Sequence, residues 1–152
     1  RLEDIPRSAK AVVFLNAFAV DAAQREKIHA FLRERKATAV WLFAPGIIEE
    51  GAFSAGAVAR LAGLPLRATL HEADHTLATF DAPTTATAQS LPLAPTVFAD
   101  RATKGLNVRA AYATNARLGG WVQGVTQDGW RSIFLAAPQP GVAFWTELAG
   151  KQ

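Results

Sequence analysis

Apolar positions gather into short continuous runs in the first third of the chain, separated by segments in which they recur every three or four residues. The first run, AVVFLNAFA at 11–19, has Val12, Val13, Phe14 and Leu15 in succession. Such a run predicts a strand covered on both faces, as in parallel sheets sandwiched between helices. Asp21 and Gln24 then stand at the spacing of a capping box, in which each side chain bonds the other residue's amide. Ile28, Phe31 and Leu32 follow at helical spacing with charged residues around them, which predicts an amphipathic helix over 21–35. ATAVWLFAPGII repeats the buried-strand signature over 38–44 and is ended by Pro45-Gly46. A strand, a helix and a strand so joined should form a right-handed crossover with the two strands adjacent and parallel. A second helix is signalled by FSAGAVARLAGL. Its expected cap is Ser54, its staple Phe53 with Val58, its buried side Val58, Leu61 and Ala62, and its stop Gly63.

The pattern then changes. RATLHEA and HTLATFDA read as two strands, and TTATAQSLPLAPT is a connection rich in threonine, alanine and proline to which no element is assigned. TVFAD is a further short strand with Asp100 at its end. AAYATNARLGGWVQ reads as two antiparallel strands around Thr114-Asn115, with Gly119-Gly120 at a strand bend. RSIFLAAP is a final buried strand after a turn at Asp128-Gly129, and FWTELAG is a closing helix. Parallel strands early and hairpin-like strands late predict an α/β domain with a mostly parallel sheet and antiparallel edge strands. No repeat or internal boundary divides 1–152, so a single domain is expected.

Composition narrows the chemistry. With 152 residues, half of them apolar, the chain has ample material for a core and does not fit the disordered class. It has no cysteine, which excludes a disulfide scaffold, a cysteine nucleophile and thiolate metal sites. Its apolar stretches are too short to cross a bilayer, and RLEDIPRSAK has no secretory pattern. The net charge of +3 is spread along the chain, with its densest group at Arg33, Arg35 and Lys36, and forms no stripe suited to nucleic acid.

The sharpest motif is His71-Glu72-Ala73-Asp74-His75, an H-E-x-x-H match. On a helix its histidines would share a face and hold zinc. Here Thr69, Thr76 and Thr79 flank it and no apolar stripe runs through it. In a strand the two rings would lie about 13 Å apart, too far to share an ion. A solvated turn or strand is therefore expected, with no metal. The linker after the first strand, NAFAVD, lacks glycine, and Gly46, Gly51 and Gly56 do not match a phosphate loop, so no nucleotide or other cofactor is expected. Ser54 reads as a cap, Ser90 lies in the unassigned connection and Ser132 enters a buried strand. None sits in a G-x-S-x-G turn. Glu49, Glu50, Asp81, Asp100 and Asp128 read as surface and turn carboxylates, although strand ends converge and a glycosidase-like pair needs only a suitable separation. Trp121, Trp130 and Trp145 suit a core or interface better than a sugar platform.

Four phrases in order, VVFLNAF, DAAQREKIHAFL, AVWLFAPG and DGWRSIFLAAPQP, resemble the domain that follows the catalytic barrel in large bacterial β-galactosidase-like glycoside hydrolases. That trimerisation domain is similar to class I glutamine amidotransferases and has a flavodoxin-like three-layer fold. The resemblance spans 10–63 and about 96–149. Working amidotransferases of the class carry a cysteine in a C-x-G turn after the strand matched by AVWLF, where this chain has Ala44-Pro45-Gly46. The resemblance thus implies a scaffold whose nucleophile is replaced by a methyl group, with Gly46 kept for a tight strand-to-helix turn. The later G-H-x-E-like segment of the triad is absent too. It also implies a preceding βα unit and a terminal strand, so a piece of a longer protein or a divergent relative is expected. The implied function is interaction or oligomerisation without catalysis, the partner being a second copy or a glycoside hydrolase catalytic domain. Phe98, Tyr112, Trp121 and Trp145 are the candidate interface aromatics, each equally suited to a core. The rival expectation is a small stand-alone hydrolase with a polar site that no motif marks.

Overall fold

A computed structural model describes residues 1–80 and 92–150. In chain order the elements are β1 (Ala11–Phe14), α1 (Ala22–Arg35), β2 (Thr38–Leu42), β3 (Ile48–Glu49), β4 (Ala52–Phe53), α2 (Ala55–Ala62), β5 (Arg67–Thr69), β6 (Ala73–Asp74), β7 (Leu77–Thr79), β8 (Pro92–Leu93), β9 (Thr96–Asp100), β10 (Asn107–Tyr112), β11 (Asn115–Val125), β12 (Arg131–Leu135) and α3 (Val142–Gly150). The main sheet runs β1-β2-β12-β11-β10-β7, with β9 paired to both β11 and β5. β1 and β12 flank β2 in parallel, and the pairs from β12 outward are antiparallel. This is the mixed, helix-covered sheet expected of a flavodoxin-like three-layer domain.

The first βαβ unit follows from its local signals. Asp21 accepts from the Gln24 amide at 2.7 Å, and the Gln24 side chain accepts from the Asp21 amide at 3.0 Å, so the box closes both ways. Leu32 is wholly buried, and Ile28 and Phe31 pack beside it against the core. α1 and α2 cover one face of the sheet. Ser132 donates to the Ala62 carbonyl at 2.6 Å and accepts from the Trp41 indole at 3.1 Å, tying β2 and β12 to the end of α2. The adjacent Ile133 faces the opposite way, as strand alternation requires. On that second face α3 packs Phe144 onto Trp121, ring centres 5.2 Å apart.

Several boundaries differ from the sequence expectation. β1 stops at Phe14 instead of reaching 19, because Asn16 turns the chain with φ 54°, a left-handed conformation that asparagine tolerates. β2 stops at Leu42, because Phe43 is itself left-handed at φ 65°. The strand does not pass straight into α2: a hairpin of β3 and β4 intervenes, closed by Glu50 and Gly51, both at positive φ. Two successive left-handed residues are what a type I′ turn demands. Ser54 occupies the cap position of α2, but its hydroxyl goes elsewhere. Gly63 does stop the helix, at φ 64°. Most of the unassigned connection, with Asp81 and Ser90, lies outside the described residues.

Candidate functional site

In open α/β sheets, ligands sit beyond the carboxyl ends of the parallel strands. Here that region is formed by the chain after Phe14, the turn 43–46 after β2, and the hairpin that follows. The segments are laced by backbone: the Gly46 amide donates to Ala17 at 2.6 Å, the Ile48 amide to Phe18 at 2.9 Å and the Phe43 amide to Leu135 at 2.8 Å. Gly46 has φ +67°, and a Cβ there would lie 3.0 Å from Cδ2 of Leu61. The glycine is thus required by its left-handed backbone and by the close approach of α2. It does not make a direct strand-to-helix turn.

The strained position of the turn is Phe43, one residue before Ala44. A bulky residue at φ 65° costs on the order of 1–3 kcal/mol and persists only where packing enforces it. The enforcing contacts are edge-on rings, Phe18 at 5.9 Å and His75 at 5.5 Å, with Tyr112 5.6 Å beyond His75. Ala44, Pro45 and Gly46 are buried behind it. A nucleophile elbow is a strained residue that exposes its reactive atom. This turn instead has an aromatic ring at the strained position and a buried methyl at the next, and neither group can attack a carbonyl.

The polar centre beside the turn is Glu49, which the sequence marked only as one carboxylate among several. It accepts from Arg25 at 3.2 Å, from Ser54 at 3.1 Å and from Arg60. Burial pushes its pKa up, but the hydrogen bonds from Ser54 and Arg25 and the charge and hydrogen bond of Arg60 outweigh it, leaving the carboxyl below its ordinary value. An ionised carboxylate clamped by two guanidinium groups is a poor proton acceptor. It joins α1, the β3–β4 hairpin and α2. Ser54 donates to it, and among the described residues no other base stands within hydrogen-bond distance of the Ser54 hydroxyl.

The remaining candidates have local roles. Residues 73–74 of the H-E-x-x-H segment are a strand, so the helix that the metal motif needs is absent. His71 is exposed, while His75 is buried with its Nδ1 2.8 Å from the Ala73 carbonyl. No group of three or more potential metal ligands occurs among the described residues. His29 Nε2 lies 2.9 Å from the Leu61 carbonyl. Asp100 accepts from the Ala102 amide and Asp128 pairs with Arg33 at 3.6 Å, while Glu50 belongs to the hairpin turn.

Of the four interface aromatics, Tyr112 and Trp121 lie in the core, each 2% exposed. The Tyr112 hydroxyl donates to Val97 at 2.8 Å, and burial pushes its pKa above the usual range. Phe98 is half-buried on β9, and Trp145 on α3 is 40% exposed. The hub at Glu49 and the strain at Phe43 had no motif to announce them. The β3–β4 hairpin carried only half a signal: Gly51 suits a positive φ, but Glu50 is not among the residues that favour the first position of such a turn.

Fold and site together define a flavodoxin-like three-layer α/β domain without a cysteine. No protein-family model matches the chain, and no curated protein matches it. Among solved structures it is similar to part of the β-galactosidase from Rahnella sp. R3, at 17% identity and a TM-score of 0.59, over 93% of this chain and 22% of that one. At that identity the likeness establishes fold alone, and the chain spans about a fifth of that enzyme's length. The β-galactosidase from Bifidobacterium adolescentis aligns over 99% of this chain and 76% of that one at 17% identity, with a TM-score of 0.32, too low to speak to fold.

Proposed function

We propose that this chain is a non-catalytic interaction or oligomerisation domain of a carbohydrate-active, β-galactosidase-like protein, corresponding to the amidotransferase-like trimerisation domain of such hydrolases. The reading rests on one observation above all: the turn that carries the nucleophile in working amidotransferases holds Phe43, Ala44, Pro45 and Gly46, packed shut and flanked by an arginine-paired carboxylate. The fold shared with a segment of a β-galactosidase supports the carbohydrate-active context.

The surface supports an interacting role. β1 is an edge strand whose outer backbone groups have no strand partner among the described residues. Soluble proteins guard such edges with charge, proline or a bulge. AVVF has none of these, and Leu15 beyond it is 66% exposed. The hairpin adds Ile48 and Phe53, both partly exposed, and is joined to this edge by the Ala19–Ile48 bridge. On α3, Trp145 offers a second apolar point. The partner is a second copy or a glycoside hydrolase catalytic domain, with neither nucleic acid nor membrane involved. No helix of the described residues is long and apolar enough to cross a membrane.

Sedimentation velocity over a concentration series tests this reading, alongside hydrolysis assays with glutamine and chromogenic glycosides. Reversible association that is lost in Leu15→Asp, with hydrolysis at background, is the expected result. Saturable turnover by the isolated chain would establish the rival hydrolase and defeat the proposal.

A further inference from the structure

A narrow cavity of about 60 Å³ lies between α3 and the sheet, where β1, β2 and β12 begin. Lys10 precedes β1, Thr38 opens β2 and Arg131 opens β12, so three successive parallel strands bring these side chains to one end of the sheet. α3 forms the roof. Phe144 packs on Trp121, and Glu147 accepts from Arg109 at 3.0 Å and from Gln123 at 3.2 Å. Gln123 in turn accepts from Arg131 at 2.8 Å.

The hydrogen-bond inventory of this wall is lopsided. Both Glu147 oxygens are engaged, Oε1 by Gln123 and Oε2 by Arg109, and the Gln123 carbonyl is engaged by Arg131. What remains over is donors. The Trp121 indole N–H is buried with no acceptor among the described residues. Arg131 gives one N–H to Gln123 and keeps the rest of its guanidinium fork. Neither Lys10 nor Arg131 has a carboxylate within ion-pair distance among the described residues. Buried donors are normally satisfied, and two cations beside one small cavity favour an anion. Ile133 on β12 and Leu148 on α3 add apolar lining. One water needs about 10–15 Å³ of such space, so the cavity suits a group of roughly four heavy atoms.

We propose that this cavity binds a small monocarboxylate of acetate size. The carboxylate faces Trp121 Nε1, Arg131 and Lys10, and the methyl group lies against Ile133 and Leu148. Lys10 is exposed and stands at the mouth, where it admits the anion from solvent. A ligand of about four heavy atoms can bind no tighter than roughly tens of micromolar, so the titration must extend into the millimolar range.

The test is a titration of the whole chain with sodium acetate at constant ionic strength, following the Trp121 indole N–H resonance by heteronuclear NMR. Acetamide serves as the neutral isostere and sodium chloride as the ion control. The resonance is assigned by its loss in Trp121→Phe, or from its contacts with Phe144 should that variant not fold. A saturable downfield shift with acetate alone is expected, weakened about tenfold in both Lys10→Gln and Arg131→Gln. Lys10 is a surface residue, so its variant tests the site without threatening the fold. A non-saturating response would overturn the proposal and leave a water-filled cavity. An equal response to acetamide or chloride would overturn it as well.

Discussion

Glu49 shows how much a single side chain can organise. It receives Arg25 from α1 and both Ser54 and Arg60 from the approach to and body of α2, so three elements meet at one carboxylate. Its carboxyl pKa is lowered in the folded state from 4.5, which means the unfolded chain binds that proton more tightly. The stabilisation is therefore complete above pH 4.5 and is lost as pH falls through the lower folded value. Thermal midpoints of the wild type and Glu49→Gln should differ most at about pH 7 and draw together as the pH falls below 4.5. A gap that stays constant across this range would show that Glu49 acts through packing alone.

At the scale of elements, the end of α2 is a tightly specified join. Gly63 ends the helix at φ 64°, and a Cβ there would lie 2.6 Å from Cγ2 of Thr126 and 3.1 Å from the Trp130 ring. Gly129 also has positive φ, 83°, but a Cβ at that turn would meet nothing within 4 Å. The pair separates backbone strain from crowding. Gly129→Ala should cost about 1–2 kcal/mol, the left-handed penalty alone. Gly63→Ala carries the same penalty plus the overpacking of a filled core, for a total of about 3 kcal/mol or more. Denaturant unfolding of both variants measures the difference, and equal losses would refute the crowding account.

For the whole molecule, the sheet separates two kinds of surface. The carboxyl ends of the parallel strands are closed by Phe43 and the Glu49 clamp, whereas the β1 edge is apolar and has no outer strand partner among the described residues. An interaction domain needs the second and has no use for an open crevice at the first. The separation of His71 and His75, one exposed and one buried against Phe43 and Tyr112, gives a further expectation. Treatment with a chelator should leave the thermal midpoint unchanged, and elemental analysis should find no stoichiometric zinc. A midpoint lowered by the chelator and restored by zinc would refute this.

The sequence by itself determined what depends on near neighbours: the Asp21–Gln24 box, the stripe through Ile28, Phe31 and Leu32, the parallel pairing of β1 with β2, the hairpin expected around Thr114-Asn115, whose turn falls at Ala113-Thr114, and the Gly63 stop. These are contacts over a few residues, or over one helical crossover, and their periodicity is written in the chain. Tertiary structure alone decided that β12 returns beside β2 and that Phe43, rather than Ala44, takes the strained conformation. It also decided that Glu49 gathers two arginines and that Tyr112 and Trp121 are core. Each of these depends on residues far apart in sequence meeting in space. An apolar ring reads the same in a strand whether its face meets a helix, a partner or water, and only the packed sheet assigns the side.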